Sequence, residues 1–360
     1  LQDFTASLMR SIAVLVISCP CALGLATPAA VAVGLGRAAR NGVLFRNAKS
    51  LELFKDIRQV VFDKTGTLTT GELTIDRFQT INDNITEDEL KRITFSLEKY
   101  SGHPIAKSIA AAWKTSLPGR QATNDIRWAK IEEIKGLGIK ATSKEGDEYL
   151  AGSYKAASTL TTDNTHNVYI IKNNELIGWI DVKDEIRPEA KSVINYLRKK
   201  GITTYLLSGD SKIKCEQLAA EVGIDKVMAE QTPEQKLTAI ESLTLQAPTA
   251  MIGDGINDAP ALAKATIGIS LSDASQIAIQ TADVVLMNHG LKNLPLSLGL
   301  GRHTFITIKQ NLFWAFCYNV VAIPVAALGF LNPMFGALAM GLSDVVLGIN
   351  SGRLFVKKVV

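Results

Sequence analysis

The sequence has few of the residues on which several common protein classes depend. Its 360 residues include four cysteines, Cys19, Cys21, Cys215 and Cys317, and four histidines. Four cysteines so placed indicate no disulfide framework and agree with a reducing compartment. No basic stripe interleaved with aromatic residues is present, so we expect no nucleic-acid partner. Internal repeats and low-complexity tracts are absent as well, which excludes repeat proteins and disordered linkers.

Charge is missing from three long stretches, although the composition as a whole is 47% hydrophobic and 21% charged. These stretches are residues 11–35, 312–331 and 334–349, and the third contains Asp344. The second has the ~20 apolar residues that a membrane-spanning helix needs. The first lacks the small-residue cleavage site of a signal peptide, and the chain opens on Leu1. We therefore expect a fragment of a longer integral membrane protein.

Basic residues lie at one end of each apolar stretch, within a formal net charge of +4. The positive-inside rule assigns these ends to the cytoplasm. The last two spans then form a hairpin with its turn at Asn332-Pro333 outside, and residues 42–303 are cytoplasmic. This predicts a multi-pass protein in contact with membrane lipid, in the plasma membrane. The basic residues are Arg37, Arg40, Arg46, Lys49, Arg302, Lys309, Arg353, Lys357 and Lys358.

Cys19-Pro20-Cys21 lies inside the first apolar stretch. Proline removes a backbone donor and breaks the helix, and lipid cannot satisfy the carbonyls that are freed. Thiolate sulfur favours Cu(I) and Zn(II) over hard ions, and broken membrane helices are common at transporter cargo sites. The motif therefore indicates a metal site, although cysteine and proline also occur in membrane helices for packing reasons.

The cytoplasmic part alternates buried strands with helical stretches, which predicts a doubly wound α/β domain with a parallel sheet. Residues 72–181 differ, since Val168–Ile171 and Leu176–Ile180 form an expected antiparallel hairpin across Asn173-Asn174. We expect an α+β domain inserted into the first. The expected boundaries are 1–41 and 301–360 for the membrane segments, 42–71 with 182–300 for the outer domain, and 72–181 for the inserted one. The expected strands of the outer domain are 60–62, 203–207, 249–252 and 266–269, and its expected helices begin near Pro188, Ser211 and Pro233.

Polar motifs follow three of the predicted strands, where parallel sheets bind their ligands. They are Asp63-Lys64-Thr65-Gly66-Thr67, Ser208-Gly209-Asp210, and Gly253-Asp254-Gly255-Ile256-Asn257-Asp258. Any one Asp-Gly pair is most simply a turn. Three such motifs at strand ends of one domain predict a shared site.

The first and third motifs together resemble the phosphorylation domain of P-type ATPases, and Cys-Pro-Cys makes the chain similar to the heavy-metal-transporting class. Further matches are Ser101 to Pro104, Gly136-x-Gly138, Asp184-x-x-Arg187-Pro188 and Thr232-Pro233-x-x-Lys236. The resemblance covers essentially the whole chain. It implies a haloacid dehalogenase-like phosphorylation domain, an inserted nucleotide-binding domain, and ATP hydrolysis with Mg²⁺.

The resemblance implies a role for each residue of the phosphorylation site. Asp63 is the nucleophile, and it holds Mg²⁺ with Asp254 and the backbone of Thr65. Lys236 neutralises phosphate charge, because a carboxylate that attacks ATP must overcome repulsion between anions. The residues that complete the phosphate and metal surroundings are Ser208, Gly209, Asn257 and Asp258. Position 208 is more often threonine in the family, and its hydroxyl is kept here.

Thr65 separates two activities of the same fold. Related phosphatases carry an aspartate at this position, which acts as general acid and base on the aspartyl phosphate, and threonine cannot do so. In the family the base is a glutamate of a separate actuator domain, and the sequence has no Thr-Gly-Glu loop. We expect that domain and further membrane helices upstream in the same polypeptide. A soluble phosphatase is also opposed by the three apolar spans.

For the inserted domain, the resemblance makes His103 an adenine contact beside Pro104. The other residues implied to shape the nucleotide pocket are Glu98, Gly136, Gly138 and Gly152. The sequence departs from the family at Gly102, where an acidic residue is usual, and at Ser153, where asparagine is usual. Without the family, His-Pro and Gly-x-Gly are most simply a loop and a hairpin.

The transported metal is expected to be Cu(I), with Zn(II) or another divalent transition metal as the alternative. The resemblance implies a copper site built from Cys19, Cys21, Tyr318, Asn319, Met340 and Ser343. A thioether at Met340 suits Cu(I) better than Zn(II).

Asp344 departs from the copper pattern, which usually has serine there, and shares a helix face with positions 340 and 343. Membrane packing is the alternative role of Met340 and Tyr318. The expected activity is ATP-driven export, with a metal chaperone as a candidate donor. A non-catalytic metal-binding membrane protein is the remaining class, opposed by Asp63, Lys236, Asp254 and Asp258.

Overall fold

The structure is a computed structural model that describes residues 2–82, 85–116, 126–134, 136–255, 258–287 and 290–359. Its helices are α1 Gln2–Ile17, α2 Cys21–Arg40, α3 Ala48–Leu53, α4 Glu87–Glu98, α5 Pro104–Ser116, α6 Tyr154–Ala157, α7 Ala190–Lys199, α8 Lys212–Val222, α9 Pro233–Gln246, α10 Ala259–Lys264, α11 Gln276–Thr281, α12 Leu294–Ala327 and α13 Pro333–Gly352. Its strands are β1 Val43–Phe45, β2 Gln59–Phe62, β3 Thr69–Thr80, β4 Trp128–Ile134, β5 Gly138–Ser143, β6 Glu148–Gly152, β7 Val168–Lys172, β8 Glu175–Ile186, β9 Thr203–Leu207, β10 Lys226–Met228, β11 Thr249–Gly253, β12 Ile267–Leu271 and β13 Val284–Leu286.

The chain divides into two compact units, residues 1–68 with 187–360 and residues 69–186. The second unit is longer at both ends than the 72–181 expected from sequence. The reason is that β3 and β8 pair as antiparallel strands from Thr80 opposite Gly178 down to Thr69 opposite Ile186. The hydroxyl of Thr69 also donates to Asp184 Oδ2 at 2.6 Å. The inserted unit therefore extends to residues 69 and 186, because β3 and β8 continue to pair beyond the predicted boundaries at 72 and 181.

A seven-stranded sheet in the order β1-β13-β12-β11-β2-β9-β10 forms the centre of the first unit. All neighbours are parallel except β1 and β13, an antiparallel pair at one edge. The α/β prediction is confirmed, and the predicted strand at 266–269 lies one to two residues later, as β12. Strands β1, β10 and β13 were not predicted, because three residues are too few to show a periodic pattern.

The second unit is a six-stranded antiparallel sheet in the order β3-β8-β7-β6-β5-β4, with α4 and α5 packed on it. The predicted hairpin is confirmed as β7 and β8. Asn173 and Asn174 have φ values of 49° and 66°, the left-handed pair that a two-residue hairpin turn requires. The core of this unit includes Leu90, Ile109 and Ile170, which are fully buried.

Within the described residues, three helical segments are long and apolar enough to cross a membrane: Phe4–Arg40, Gly290–Ala327 and Pro333–Phe355. The first is broken between α1 and α2, as Pro20 predicts, and Pro28 lies inside α2. Helix α12 begins at Leu294, well before the stretch 312–331, and ends at Ala327, whereas α13 extends beyond the stretch 334–349 at both ends.

A buried amide holds the membrane helices together. Asn311 of α12 is fully buried, and its Nδ2 donates to the carbonyl of Ala26 in α2 and to Ser351 Oγ in α13, both at 3.0 Å. Its Oδ1 accepts from Asn350 Nδ2 at 2.8 Å. Polar side chains of this kind are a common link between membrane helices, which lack a hydrophobic driving force between them.

We predict that Gly301→Ala destabilises the fold whereas Gly348→Ala does not. A Cβ at position 301 would lie 2.6 Å from the carbonyl oxygen of Leu51 and 2.5 Å from Phe54 Cβ, while one at position 348 meets nothing within 4 Å. Overpacking against backbone should cost about 1–3 kcal/mol, and alanine in an open helix position should gain up to ~1 kcal/mol. Thermal unfolding in detergent, followed by circular dichroism, measures both. Equal melting temperatures for the two variants would contradict the packing described.

Candidate functional site

The three polar motifs meet at one edge of the parallel sheet. Phe62 of β2 pairs with Leu206 of β9 on one side and with Ile252 of β11 on the other. The residues that follow these strands therefore leave the sheet side by side. The backbone N–H of Asp63 continues the ladder by donating to the carbonyl of Ile252 at 2.9 Å.

Three carboxylates and one ammonium group form the centre of this edge. Oxygens of Asp63, Asp254 and Asp258 lie within 4.8 Å of one another. Lys236 Nζ lies 2.5 Å from Asp63 Oδ1 and 2.9 Å from Asp258 Oδ1, so it bridges two buried carboxylates. Two charge-assisted contacts from one lysine fix both acids in orientation.

Local sequence explains why Lys236 reaches these acids. Thr232 caps helix α9: its Oγ1 accepts from the N–H of Gln235 at 3.3 Å, and Gln235 Oε1 accepts from the N–H of Thr232 at 2.8 Å. Pro233 occupies the first turn, where its fixed φ suits a helix start. This start places Lys236 one turn into α9, facing the sheet edge.

The site carries more negative charge than Lys236 can balance. Burial, followed by the charge of Asp258, raises the pKa of Asp63 to about 7. Burial and Asp258 likewise raise the pKa of Asp254 to about 6. Carboxylates that repel each other at this spacing fit a hard divalent cation, and oxygen is the ligand that Mg²⁺ prefers. Asp63, Asp254 and Asp258 could hold such an ion.

The loop after Asp63 is shaped around Asp254. Gly66 has a φ of 71°, and a Cβ there would lie 1.6 Å from Asp254 Oδ2, so only glycine fits. Arg187 Nη2 donates to the carbonyl of Gly66 at 2.9 Å and to Asp273 Oδ2 at 2.7 Å. Thr65 is exposed on this loop. Sequence analysis assigned no role to Arg187, although its position in Asp-x-x-Arg-Pro was a signal.

The second motif is also placed by backbone contacts. Ser208 is buried, and its Oγ accepts from the N–H of Asp210 at 3.2 Å. A Cβ at Gly209 would lie 3.3 Å from the carbonyl oxygen of Gln231, so the chain passes close there. Lys64 pairs with Asp210, a contact that sequence analysis missed. Asn257 lies outside the described residues.

The second unit contains a cavity of about 480 Å³. Its lining includes Glu98, His103, Gly136, Gly138 and Gly152, which are the residues expected from sequence except Pro104. Pro104 is instead the first residue of α5, directly after His103. The volume is in the range of small-molecule sites.

Two of these glycines are required by close backbone approach. A Cβ at Gly138 would lie 2.1 Å from the carbonyl oxygen of Ala151, and one at Gly152 would lie 2.4 Å from that of Leu137. Gly138 and Gly152 are opposite each other in the β5–β6 ladder. Because Gly138 and Gly152 have no side chains, the Gly-x-Gly loop and β6 can lie close together. They form one wall of the cavity.

Glu133 is a cavity residue that sequence analysis missed. Its Oε1 accepts from Ser101 Oγ at 2.7 Å, and its Oε2 lies 3.5 Å from the N–H of Gly102. Burial, with Glu133 as the second cause, raises the pKa of Glu98 to about 7. The sequence offered one signal for this role. Glu133 is an acidic residue three positions before Gly136, and the chain lacks the acidic residue that is usual in the family at position 102.

In the membrane region, Cys19 and Cys21 form a disulfide, so the expectation of free thiols is wrong for this pair. The helix break at Pro20 brings the two Cα atoms to 5.4 Å, which lets the sulfur atoms meet. Cys215 and Cys317 are free. Thiolate ligation by Cys19 and Cys21 requires the reduced pair.

Helix contacts bracket the Cys-Pro-Cys break from both sides. On one side, Ile17 meets α13 at Gly336, where a Cβ would lie 2.9 Å from Ile17 Cγ1. On the other side, Ala22 packs against Ala315 of α12 and Leu347 of α13. Met340, Ser343 and Asp344 lie between these levels on α13. All three are half-buried.

Tyr318 and Asn319 lie on α12 about one turn beyond Ala315, toward the level of Ile17 and Gly336. Tyr318 donates its hydroxyl to the carbonyl of Gly336 at 3.3 Å and packs with Ala13 and Ile17. Among the described residues, Asn319 Oδ1 and Asp344 Oδ1 are buried with no hydrogen-bond partner. The candidates for the copper site on α12 and α13 therefore lie along the stretch of the membrane region that the contacts of Ile17 and Ala22 delimit.

Comparison with known proteins identifies similar proteins for both parts of the chain. Residues 57–266 match the haloacid dehalogenase-like hydrolase family. The chain is 37% identical, over 97% of its length, to "Probable copper-importing P-type ATPase A" of Enterococcus hirae, and 37% identical, over 98%, to copper-exporting P-type ATPase B of Archaeoglobus fulgidus. It spans 49% and 53% of these two relatives, about half of their length.

Solved structures of metal-transporting ATPases are also similar to this chain. The crystal structure of a zinc-transporting PIB-type ATPase in the E2.Pi state superposes with a TM-score of 0.84 at 31% identity, covering 94% of this chain and 56% of that one. The catalytic CPx-ATPase domain CopB-B, in a study of nucleotide binding, gives 0.58 at 26% identity, covering 76% and 98%. From its catalytic-domain match, the chain belongs to the haloacid dehalogenase-like hydrolases, and it is similar over nearly its whole length to metal-transporting P-type ATPases.

Proposed function

We propose that the protein to which this chain belongs is a pump that uses ATP to export Cu(I) through an aspartyl-phosphate intermediate on Asp63. The observation that carries this proposal is the pairing of two sites in one unit. Asp63 is bridged to Asp258 by Lys236 at a sheet edge, and Cys-Pro-Cys breaks a membrane helix at the level of Met340 and Ser343. Neither a soluble phosphatase nor a passive metal-binding protein needs both.

The chemistry at Asp63 is nucleophilic transfer. A carboxylate oxygen of Asp63 attacks the γ-phosphorus of ATP, the bond to the bridging oxygen breaks, and ADP leaves. Lys236 reduces the charge repulsion between the attacking and attacked groups. A Mg²⁺ ion held by Asp63, Asp254 and the backbone of Thr65 would neutralise phosphate charge. Thr65 offers no base for hydrolysis, so the phosphoenzyme lasts until another domain acts.

Two features support copper as cargo. Two thiolates separated by one residue are soft ligands, and Met340 adds a thioether at the same level. Both relatives compared over the full chain are named as copper transporters, one importing and one exporting. The outward direction is part of this proposal.

Zn(II) is the second candidate, because a specific observation favours it. Asp344 Oδ1 is buried and has no hydrogen-bond partner in the described part of the chain, and a carboxylate suits Zn(II) better than it suits Cu(I). The zinc-transporting ATPase is also the structure with the TM-score of 0.84. An ionisable residue at this depth is costly and usually functional.

Asp63→Asn should abolish acid-stable labelling of the full-length protein by γ-labelled ATP, because the amide cannot act as nucleophile. Lys236→Gln should reduce labelling by roughly 10²-fold or more, since two buried carboxylates lose their cation. Acid-quenched gels measure both. Wild-type labelling in the Asp63→Asn variant would place the phosphoryl group elsewhere.

ATPase activity of the full-length protein should rise with Cu(I) in the presence of a thiol, and Cys19→Ser or Cys21→Ser should each remove that rise. Asp344→Ser should leave Cu(I) stimulation within about twofold, because this change restores the residue usual in copper pumps. If Zn(II) alone stimulated the ATPase activity of the wild type, and the Asp344→Ser variant lost this stimulation, the choice of metal would be reversed. Cys317→Ser, outside the motif, is the control.

ATP affinity should fall roughly threefold as the pH rises from 6 to 8, because ionisation of Glu98 adds a negative charge beside a polyanion. The carboxyl, with a pKa of about 7, is neutral below that pH and charged above it. Glu98→Gln should flatten the profile, and Glu133→Gln should move its midpoint to lower pH. Titration with a fluorescent ATP analogue measures the effect. An affinity that increases with pH would contradict it.

A further inference from the structure

Four positively charged side chains from four separate segments converge on His303 of α12. The charges of Lys357, Arg302, Arg37 and Lys200 all act on the imidazole of His303. Arg37 lies in the last turn of α2, Arg302 is the neighbour of His303, Lys200 follows α7, and Lys357 lies beyond α13. Since these positions are far apart in sequence, the fold builds the cluster.

Backbone contacts hold the cluster together. Arg37 Nη1 donates to the carbonyl of Lys357 at 2.6 Å and also to that of Leu354. Helix α2 lies against α12 at the same level, since a Cβ at Gly34 would lie 2.6 Å from Thr304 Oγ1. The C-terminal segment, α2 and α12 therefore present their cations from a fixed frame.

The cluster has no counter-charge within the described part of the chain. No carboxylate forms an ion pair with Arg37, Lys200, Arg302 or Lys357 there, although other lysines and arginines of the same unit are paired. The sequence contains no Asp or Glu from position 4 to 51, from 290 to 343, or after 344. Cations gathered in this way repel one another and attract an anion.

A second, independent observation points into the same place. Nδ1 of His303 is buried without a hydrogen-bond partner among the described residues. Buried polar atoms are normally paired, and each exception needs an explanation. The His303 side chain as a whole is only half-buried, so the cluster lies at the surface of the helices.

Apolar side chains lie beside these cations. Val356 is 84% exposed and Phe355 is 41% exposed, and the guanidinium of Arg40 lies 5.1 Å from the centre of the Phe355 ring. Exposed apolar residues next to basic ones, at the cytoplasmic ends of spanning helices, are the pattern of the membrane interface. A free phosphate ion would use only the cations, whereas a lipid uses both groups.

We propose that this cluster binds the headgroup of an anionic phospholipid of the cytoplasmic leaflet, with the phosphate among Arg37, Arg302 and Lys357 and an acyl chain along Phe355 and Val356. The site would tie the cytoplasmic ends of α2 and α12 to the C-terminal segment. It does not depend on which metal is carried, nor on phosphoryl transfer.

The test counts lipids that stay bound to the purified full-length protein. Native mass spectrometry after exchange into an equimolar mixture of phosphatidylglycerol and phosphatidylcholine should show retained phosphatidylglycerol. Arg302→Gln with Lys357→Gln should lower that retention about tenfold. Lys191→Gln with Lys214→Gln removes the same charge from exposed positions of α7 and α8 and should retain wild-type binding.

Charge-preserving variants keep the test sharp. Arg302→Lys with Lys357→Arg should bind as the wild type does, which separates loss of charge from loss of folding. Inorganic phosphate at millimolar concentration should not displace the lipid. Equal retention in the wild type and the glutamine variant would overturn the proposal, as would displacement by phosphate or equal loss in the charge-preserving variant.

Discussion

The bridge from Lys236 to Asp63 and Asp258 is the interaction on which the catalytic edge depends. Three carboxylates within 4.8 Å of one another cannot all remain charged in a buried site without a cation. One ammonium group at 2.5 and 2.9 Å offsets part of that charge permanently. Burial, and after it the charge of Asp258, raises the pKa of Asp63 and of Asp254. Lys236 therefore holds the acids in place but offsets only part of their charge.

Sequence reasoning found most of this arrangement because it rests on local rules. Parallel strands end at one edge, so the motifs after β2, β9 and β11 had to meet there. Helix α9 was predictable from Thr232 and Pro233, and with it the reach of Lys236. The turn at Asn173-Asn174 was predictable for the same reason, since few residues accept positive φ at two successive positions.

What sequence reasoning missed depends on contacts between distant parts of the chain. Glu133 reaches the Ser101 loop across 32 positions, and Arg187 reaches Gly66 across 121. The inserted unit is longer than the predicted 72–181 because β3 and β8 continue to pair beyond those boundaries. The Cys19–Cys21 bond was unexpected because residue spacing alone does not reveal how closely a proline break brings two sulfur atoms. None of these follows from periodicity or from a turn signal.

Pro28, one of the two prolines of the first membrane segment, has a consequence for the surroundings of α2. A proline has no N–H to donate, so the carbonyl of Gly24, one turn earlier, loses its helical partner. Gly24 and Pro28 are both exposed in this chain, and no Cβ contact covers Gly24. Lipid cannot solvate an unpaired carbonyl, so this side of α2 must face protein or water. In the proposed pump, this carbonyl would place one backbone oxygen on the cytoplasmic side of the sulfurs, about one turn from Cys21.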